Sequence, residues 1–201
     1  MRILEPSEWY FLAAFLTYIA IRGVFEKKVG VRPSAETRHR RLEAILLAVV
    51  FVGALLLPVL HLATRWLAFA DYSLPRAAQW AGVFLVPLAL WLFIGAHTHL
   101  GTNWSRTLGL RQDHILVTHG VYRRVRHPMY AAIWLFSLAQ GLLLHNWLAG
   151  WSAMAAFGLM YFLRVPREEE MMRSRFREEY DAYARRTGRI FPRLLRLSRP
   201  E

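Results

Sequence analysis

A group of basic residues stands directly before an apolar run in VYRRVRHPMYAA, residues 121–132. Proline disfavours the helical region for the residue before it and suits the first helical position, so we expect His127 to be extended and Pro128 to open a helix. The imidazole would then lie at a helix N-terminus, where free N–H groups and the helix dipole favour anions. The three arginines of this stretch strengthen the preference for a carboxylate or a phosphate. The alternative is that they only hold a loop on the cytoplasmic side of a membrane.

A second pair of charges, Arg164 and Glu168, follows the last apolar run at a spacing of one helical turn. An ionisable pair at a membrane boundary is costly unless it is used or well paired. The alternative is an i,i+4 surface salt bridge worth about 0.3–0.5 kcal/mol. The acidic run 168–170 weakens that alternative, because Arg164 needs only one partner. Such local acidity beside a basic tail could bind a cationic cofactor or ribose hydroxyls.

Other common chemistries lack their motifs. The chain has no cysteine, which excludes disulfides, thiolate nucleophiles and Cys-ligated zinc. His97, His99, His114 and His119 match no familiar ligand spacing, so we expect no metal. Neither GxGxxG nor GxxxxGK[ST] occurs, so no Rossmann or P-loop nucleotide site is indicated.

The elements that must position these residues are membrane helices. Of the 201 residues, 55% are hydrophobic, and the net charge of +12 alternates along the chain with apolar blocks. This alternation indicates membrane topology, not nucleic-acid binding. The basic loops predict an N-terminus outside and a cytoplasmic C-terminus. Five spans are predicted, at about 9–25, 44–63, 78–96, 129–145 and 147–163.

The tail after the last span predicts a further helix. Apolar and aromatic residues recur there every fourth position, and Pro166 suits a first helical turn. We therefore expect a cytoplasmic helix over about 166–186, with Arg164 on the break before it. The predicted fold is an all-α polytopic membrane protein without a Rossmann domain. It divides into N-terminal transmembrane helices (1–97) and a cofactor-binding and catalytic half (98–201).

Two blocks of this second half resemble a known family. HILVTHGVYRRVRHPMYAA (114–132) and REEEMMRSRFREEYDAYARRTGRIFP (167–192) resemble the signatures of the isoprenylcysteine carboxyl methyltransferase family and of the related membrane phospholipid methyltransferases. Two blocks in this order, separated by a helical hairpin, are a specific signal. The chain departs from the pattern in having Arg177 for the usual Gly, Met172 for Leu and Ala132 for a frequent Gly.

The resemblance implies an integral-membrane enzyme that uses S-adenosylmethionine in a pocket facing the cytoplasm. By position, Arg164 and Glu168 match the family's residues for acceptor binding and transfer. The residues matching its cofactor pocket are His114, Ile115, Leu116, Val117, Tyr122, His127, Pro128, Met129 and Tyr130.

The methyl acceptor implied by the resemblance is lipidic or prenylated, in the first place the carboxylate of an isoprenylcysteine-like compound. A carboxylate needs only a positioning cation, for which Arg164 is the candidate, whereas an amine or thiol must lose a proton to a base such as Glu168 or His127. The alternative is therefore a phospholipid or amine N-methyltransferase. Less favoured are an NADPH-dependent membrane reductase and a non-enzymatic adaptor that binds anionic membrane lipids. We expect no nucleic-acid partner.

Overall fold

The structure, a computed structural model, describes residues 3–29, 40–103 and 115–193, and the regular elements in these ranges are all helices. A π-helical turn, Val52–Leu56, joins the second and third helices into one segment. Short 3-10 turns cover Ala68–Ala70, Gly101–Asn103 and Gly120–Arg123. The main helices are α1 Pro6–Val29, α2 Arg40–Phe51, α3 Leu57–Ala63, α4 Arg76–Leu100, α5 Pro128–Leu144 and α6 Trp147–Arg186.

The helices have the length and composition of membrane spans. Four helical segments among the described residues are long and apolar enough to cross a bilayer: Pro6–Lys28, Arg41–Ala63, Arg76–Leu100 and Trp147–Arg186. The fourth predicted span, 129–145, is the shorter apolar helix α5, of 17 residues. The predicted all-α membrane fold is therefore confirmed, and the protein is a multi-pass integral membrane protein.

Helices α5 and α6 form the tight hairpin that the sequence predicts. His145 adopts the left-handed conformation (φ 48°, ψ 34°) that ends α5. The Asn146 side chain then caps α6 by accepting hydrogen bonds from the backbone N–H groups of Leu148 and Ala149. A Cβ on Gly150 would lie 3.2 Å from the Cα of Gly141, so these glycines let the two helices approach closely.

The prediction of a separate tail helix that begins near residue 166 is wrong. α6 continues from the apolar run through Pro166 to Arg186, so Arg164 lies inside a helix and not on a break. Proline removes one backbone hydrogen bond, but Val165 and Glu169, one turn apart on the same face, are both buried and hold the helix in place. The interruption lies instead at Arg177, whose backbone has φ 46° and ψ −122°.

A compact apolar cluster fixes α2 against α6. Leu46 of α2 is buried with side chains of α6, and partly buried Tyr130 and Trp134 of α5 pack against the same cluster. The buried α6 members are Phe157, Met160, Tyr161 and Val165. This cluster continues to the position of Arg164, so packing sets where that guanidinium lies.

Candidate functional site

The arginine-rich segment before α5 is fixed by the segment that follows α6. Gly188 donates its N–H to the Arg124 carbonyl (3.2 Å) and accepts the Arg126 N–H (2.9 Å). The His127 N–H donates to the Arg189 carbonyl at 2.9 Å. These three backbone hydrogen bonds pair residues 124–127 with 188–189. Two blocks far apart in sequence therefore form one unit.

Glu169 is the centre of that unit. Its carboxylate is fully buried and accepts hydrogen bonds from Arg126 Nε (2.7 Å) and Arg189 Nη2 (2.8 Å). His127 Nε2 lies 3.3 Å from the same carboxylate. The hydrogen bond with Glu169 raises the pKa of Arg189 above its ordinary value. Arg126 also donates through Nη1 to the Thr187 carbonyl at 2.7 Å, so this side chain is hydrogen-bonded to the protein's own groups through both Nε and Nη1.

Helix α5 starts at Pro128 as the sequence predicts, but the backbone of His127 is not extended as expected. His127 is the residue before the helix, with φ −124° and ψ 58°, and Pro128 occupies the first turn. No side chain caps this helix N-terminus. The backbone N–H groups of Met129 and Tyr130 in this first turn therefore donate no hydrogen bond to a capping side chain. The predicted anion at His127 is, in part, the protein's own Glu169 carboxylate.

Tyr130 connects the start of α5 to the charged pair on α6. Its hydroxyl donates to Glu168 Oε2 at 2.8 Å, and its ring lies 5.6 Å from the His127 ring. Arg164 is half-buried and interacts electrostatically with Tyr130, Glu168 and Glu43. The structure thus brings the predicted acceptor pair beside one of the predicted cofactor residues, Tyr130, which in turn contacts His127.

A cleft opens beside Arg164, between α2 and α6. It combines three charged side chains with three apolar ones, and α2 contributes as many of them as α6. The lining residues are Glu43, Leu46, Leu47, Met160, Arg164 and Arg167. Such a combination suits a ligand with an anionic head and an apolar body.

The earlier part of the first block lies less centrally. His114 falls outside the described residues. Ile115 is 62% exposed and donates its N–H to Asn103 Oδ1 at 3.1 Å, whereas Leu116 is half-buried and Val117 is buried. These positions therefore stay predictions for the cofactor pocket, like the rest of the set.

Tyr122 is buried between α4 and the end of α6. Its carbonyl accepts the Tyr183 hydroxyl at 2.8 Å, and its own hydroxyl lies 3.4 Å from the Ala96 carbonyl. Burial, and next the charge of Glu168, raise the pKa of Tyr122 above its ordinary value. The phenol therefore stays protonated at neutral pH, as a packing group or a hydrogen-bond donor.

The histidines of α4, His97 and His99, contact backbone carbonyl groups one turn earlier in the same helix. His97 Nδ1 lies 3.0 Å from the Phe93 carbonyl and His99 Nδ1 2.6 Å from the Gly95 carbonyl. Gly120 has φ +58°, and a Cβ there would overlap the His99 ring, so this turn requires glycine. Within residues 3–29, 40–103 and 115–193, no group of three or more His, Asp or Glu side chains is arranged to hold a metal ion.

Sequence reasoning missed two carboxylates, Glu43 and Glu169. Glu169 was considered only as part of an acidic run, because its partners lie 43 and 20 residues away. Glu43 lies in the basic segment before an apolar helix, where charge is expected. Its 8% exposure is the distinguishing signal, because buried acids at membrane depth are rare and often functional.

Comparison with known proteins gives one family. Residues 80–174 match the model of the isoprenylcysteine carboxyl methyltransferase (ICMT) family. A rice protein (Oryza sativa subsp. indica) described as a probable protein-S-isoprenylcysteine O-methyltransferase is 25% identical over 190 residues, covering 94% of this chain and 97% of that protein. The cobalt-zinc-cadmium resistance protein CzcN of Cupriavidus metallidurans is 36% identical over 121 residues, covering 58% of this chain and 55% of that protein.

A solved structure shares the fold. The structure of the eukaryotic intramembrane Ras methyltransferase ICMT superposes with a TM-score of 0.58 and 20% identity, covering 94% of this chain and 69% of that one. At this identity the likeness concerns the arrangement of helices, and it extends through the N-terminal half, where no motif was recognised. Family match, full-length relative and shared fold agree with the two sequence blocks. Over residues 80–174 this chain is therefore similar to the isoprenylcysteine carboxyl methyltransferase family, and it shares the helical fold of one solved member.

Proposed function

We propose that this protein transfers the methyl group of S-adenosylmethionine to the carboxylate of an isoprenylcysteine-like lipid. The observation that carries the proposal is the position of Arg164. Its guanidinium lines a cleft together with apolar side chains of α2 and α6, so a single site offers a cation for the carboxylate and an apolar wall for the prenyl chain.

The residues at the start of α5 fit the cofactor. The uncapped amides of the first turn and the adjacent His127 suit a carboxylate, whereas the Tyr130 ring and Glu168 suit a positive charge. The predicted set from His114 to Tyr130 would complete this pocket. When bound, S-adenosylmethionine supplies an electrophilic methyl group.

The chain's own contribution is binding and orientation. A carboxylate acceptor is already deprotonated at neutral pH, so no general base is required. Arg164 would hold the carboxylate, with Glu168 fixed behind it by the Tyr130 hydroxyl. The Tyr130 ring lies 5.8 Å from the rings of both Phe157 and Tyr161, and this aromatic group would keep water from the reacting oxygen.

The membrane orientation gives each substrate its own route. Basic residues 27 and 28 end α1, and arginines precede α5, on the same side of the helices as Arg164. The positive-inside rule then predicts an N-terminus outside, a cytoplasmic C-terminus and a site facing the cytoplasm. The soluble cofactor would enter from the cytoplasm, and the lipid from the bilayer along the cleft. Glu43 and Leu46 also mean that the half 98–201 depends on the half 1–97 for its acceptor wall.

The test uses purified protein in lipid vesicles with methyl-labelled S-adenosylmethionine and an S-farnesyl cysteine derivative that has a free carboxylate. The matched control is the carboxamide of the same compound. We expect label in the lipid extract only with the free acid, and complete release by mild alkali, because methyl esters are base-labile. Alkali-stable label would indicate an amine or thioether product and would contradict the proposed acceptor. No transfer to either lipid would contradict it equally.

A further inference from the structure

Glu43 is a carboxylate in an unexpected place. It lies in the first turn of α2, only 8% exposed, and the apolar residues Leu46 and Leu47 follow one turn later. Burial of a carboxylate at the edge of an apolar helix is unfavourable unless a cation compensates it. The position therefore requires a cationic counterpart from another part of the molecule.

Arg164 and Arg167 of α6 provide that counterpart across the cleft. Both line it opposite Glu43, and Glu43 is one of the groups that interact electrostatically with Arg164. The packing of Leu46 against α6 fixes the distance between the two helices. Glu43 is thus held near Arg164 by a rigid contact and not by a flexible loop.

Arg164 thus interacts with two carboxylates from different parts of the chain. Glu168 comes from the next turn of the same helix and is itself held by the Tyr130 hydroxyl. Glu43 comes from the opposite wall of the cleft. A guanidinium is planar and has its N–H donors in a fixed fork, so carboxylates from two different elements can fix its orientation.

We propose that Glu43 is a positioning residue: it orients the Arg164 guanidinium toward the acceptor carboxylate in the cleft between α2 and α6. This inference rests on the proposed function. Glu43 acts through Arg164 and does not touch the reacting atoms. It also gives the N-terminal half of the chain a direct part in the reaction.

The proposal predicts different effects of Glu43 on kcat and on the KM for the acceptor. Without the Glu43 charge the guanidinium is less well oriented, so kcat should fall. The acceptor carboxylate, however, would meet one negative charge fewer, so its KM should stay the same or decrease. A purely structural role would instead lower the amount of folded protein and leave the kcat of the folded fraction unchanged.

The decisive variant is Glu43→Gln, with Glu179→Gln as the matched control, because Glu179 is an exposed carboxylate on α6 outside the acidic run 168–170. We expect kcat to fall between about 10-fold and 100-fold, in the range that misplacement of a reacting group causes. The KM for S-adenosylmethionine should match that of the control. Glu43→Asp, which keeps the charge on a shorter stem, should have a kcat between those of Glu43→Gln and the wild type.

The same change in an Arg164→Lys background tests whether Glu43 acts through Arg164. We expect Glu43→Gln to have no further effect there, because the fork that it orients is gone. An equal fall in both backgrounds, or a kcat equal to that of the Glu179→Gln control, would overturn the role of Glu43 alone. Absence of methyl transfer by the wild-type protein would overturn the proposed function, and this inference with it.

Discussion

The two ends of the helical bundle both bury charged side chains but use them differently. At the hairpin end, defined by Glu8, His61, Asp71 and Asn146, Glu8 lies 3.0 Å from His61, and Asn146 donates to Asp71 at 2.7 Å. His61 also lies 3.8 Å from Asp71, so the four side chains form one connected group. At the arginine end, defined by Glu43, Arg164 and Glu168, Arg164 lines a small cleft between α2 and α6.

Buried polar groups have a structural role at the hairpin end, and we propose that they bind a ligand at the arginine end. The hairpin-end group connects α1, α3, the loop before α4 and the α5–α6 turn, and Asn146 and His61 are almost fully buried. Its hydrogen-bonding groups are used within the chain. At the arginine end Arg164 itself lines a cleft with apolar walls, where we propose that the acceptor binds. We therefore expect changes at the hairpin end to affect stability and changes at the arginine end to affect turnover.

The largest effect is expected for Arg164→Gln. The variant loses the cation that would bind the acceptor carboxylate, so kcat/KM should fall by at least about 100-fold. The control is Arg186→Gln, which removes the same charge from an exposed position at the end of α6. Both proteins should be assayed in vesicles at equal folded concentration. Equal activity of the two variants would remove Arg164 from the site.

An intermediate effect is expected at the hairpin end, for Asn146→Ala. The change removes the cap of α6 and the hydrogen bonds that Asn146 donates to the Leu67 carbonyl and to Asp71, so we expect a loss of about 2–3 kcal/mol in the free energy of unfolding. The thermal midpoint in detergent should fall clearly, while the kcat of the folded protein is kept. Ser174→Ala, which removes an exposed hydroxyl on α6, is the control. A midpoint equal to that of the control would show that the group is dispensable.

The smallest effect is expected for Arg177→Gly, at the interruption of α6. Arg177 has φ 46° and ψ −122°, a region that favours glycine, so the substitution should stabilise the protein by about 1 kcal/mol. Arg175→Gly, two residues earlier within regular helix, should instead destabilise it by about 1 kcal/mol. Thermal midpoints of the two variants measure the difference. A decrease of similar size for both would contradict the strain at Arg177.

Local signals were enough to predict much of the fold. The apolar runs predicted the helices and the hairpin, and His127-Pro128 predicted the start of α5, because proline acts on its immediate neighbours. The interruption of α6 at Arg177 was not predicted, because Arg177 was noted only as a departure from the usual Gly. Continuation of α6 through Pro166 was not predictable, since it depends on the buried Glu169.

The pairing of side chains far apart in sequence could not be predicted from the sequence alone. Glu169 meets Arg126 across 43 residues, and His61 meets Glu8 across 53, and neither separation has a periodic signal. Glu43 was missed for the same reason, because its neighbours in sequence are basic and its neighbours in space belong to α6.

The central claim is that turnover belongs to the arginine end and stability to the hairpin end. The most direct measurement compares alkali-labile methyl transfer to the S-farnesyl cysteine acid by Arg164→Gln and by Asn146→Ala, each below its thermal midpoint. We predict that Arg164→Gln, with a midpoint near that of the wild type, loses transfer, and that Asn146→Ala, with a lowered midpoint, keeps it. Transfer kept by Arg164→Gln and lost by folded Asn146→Ala would contradict the account.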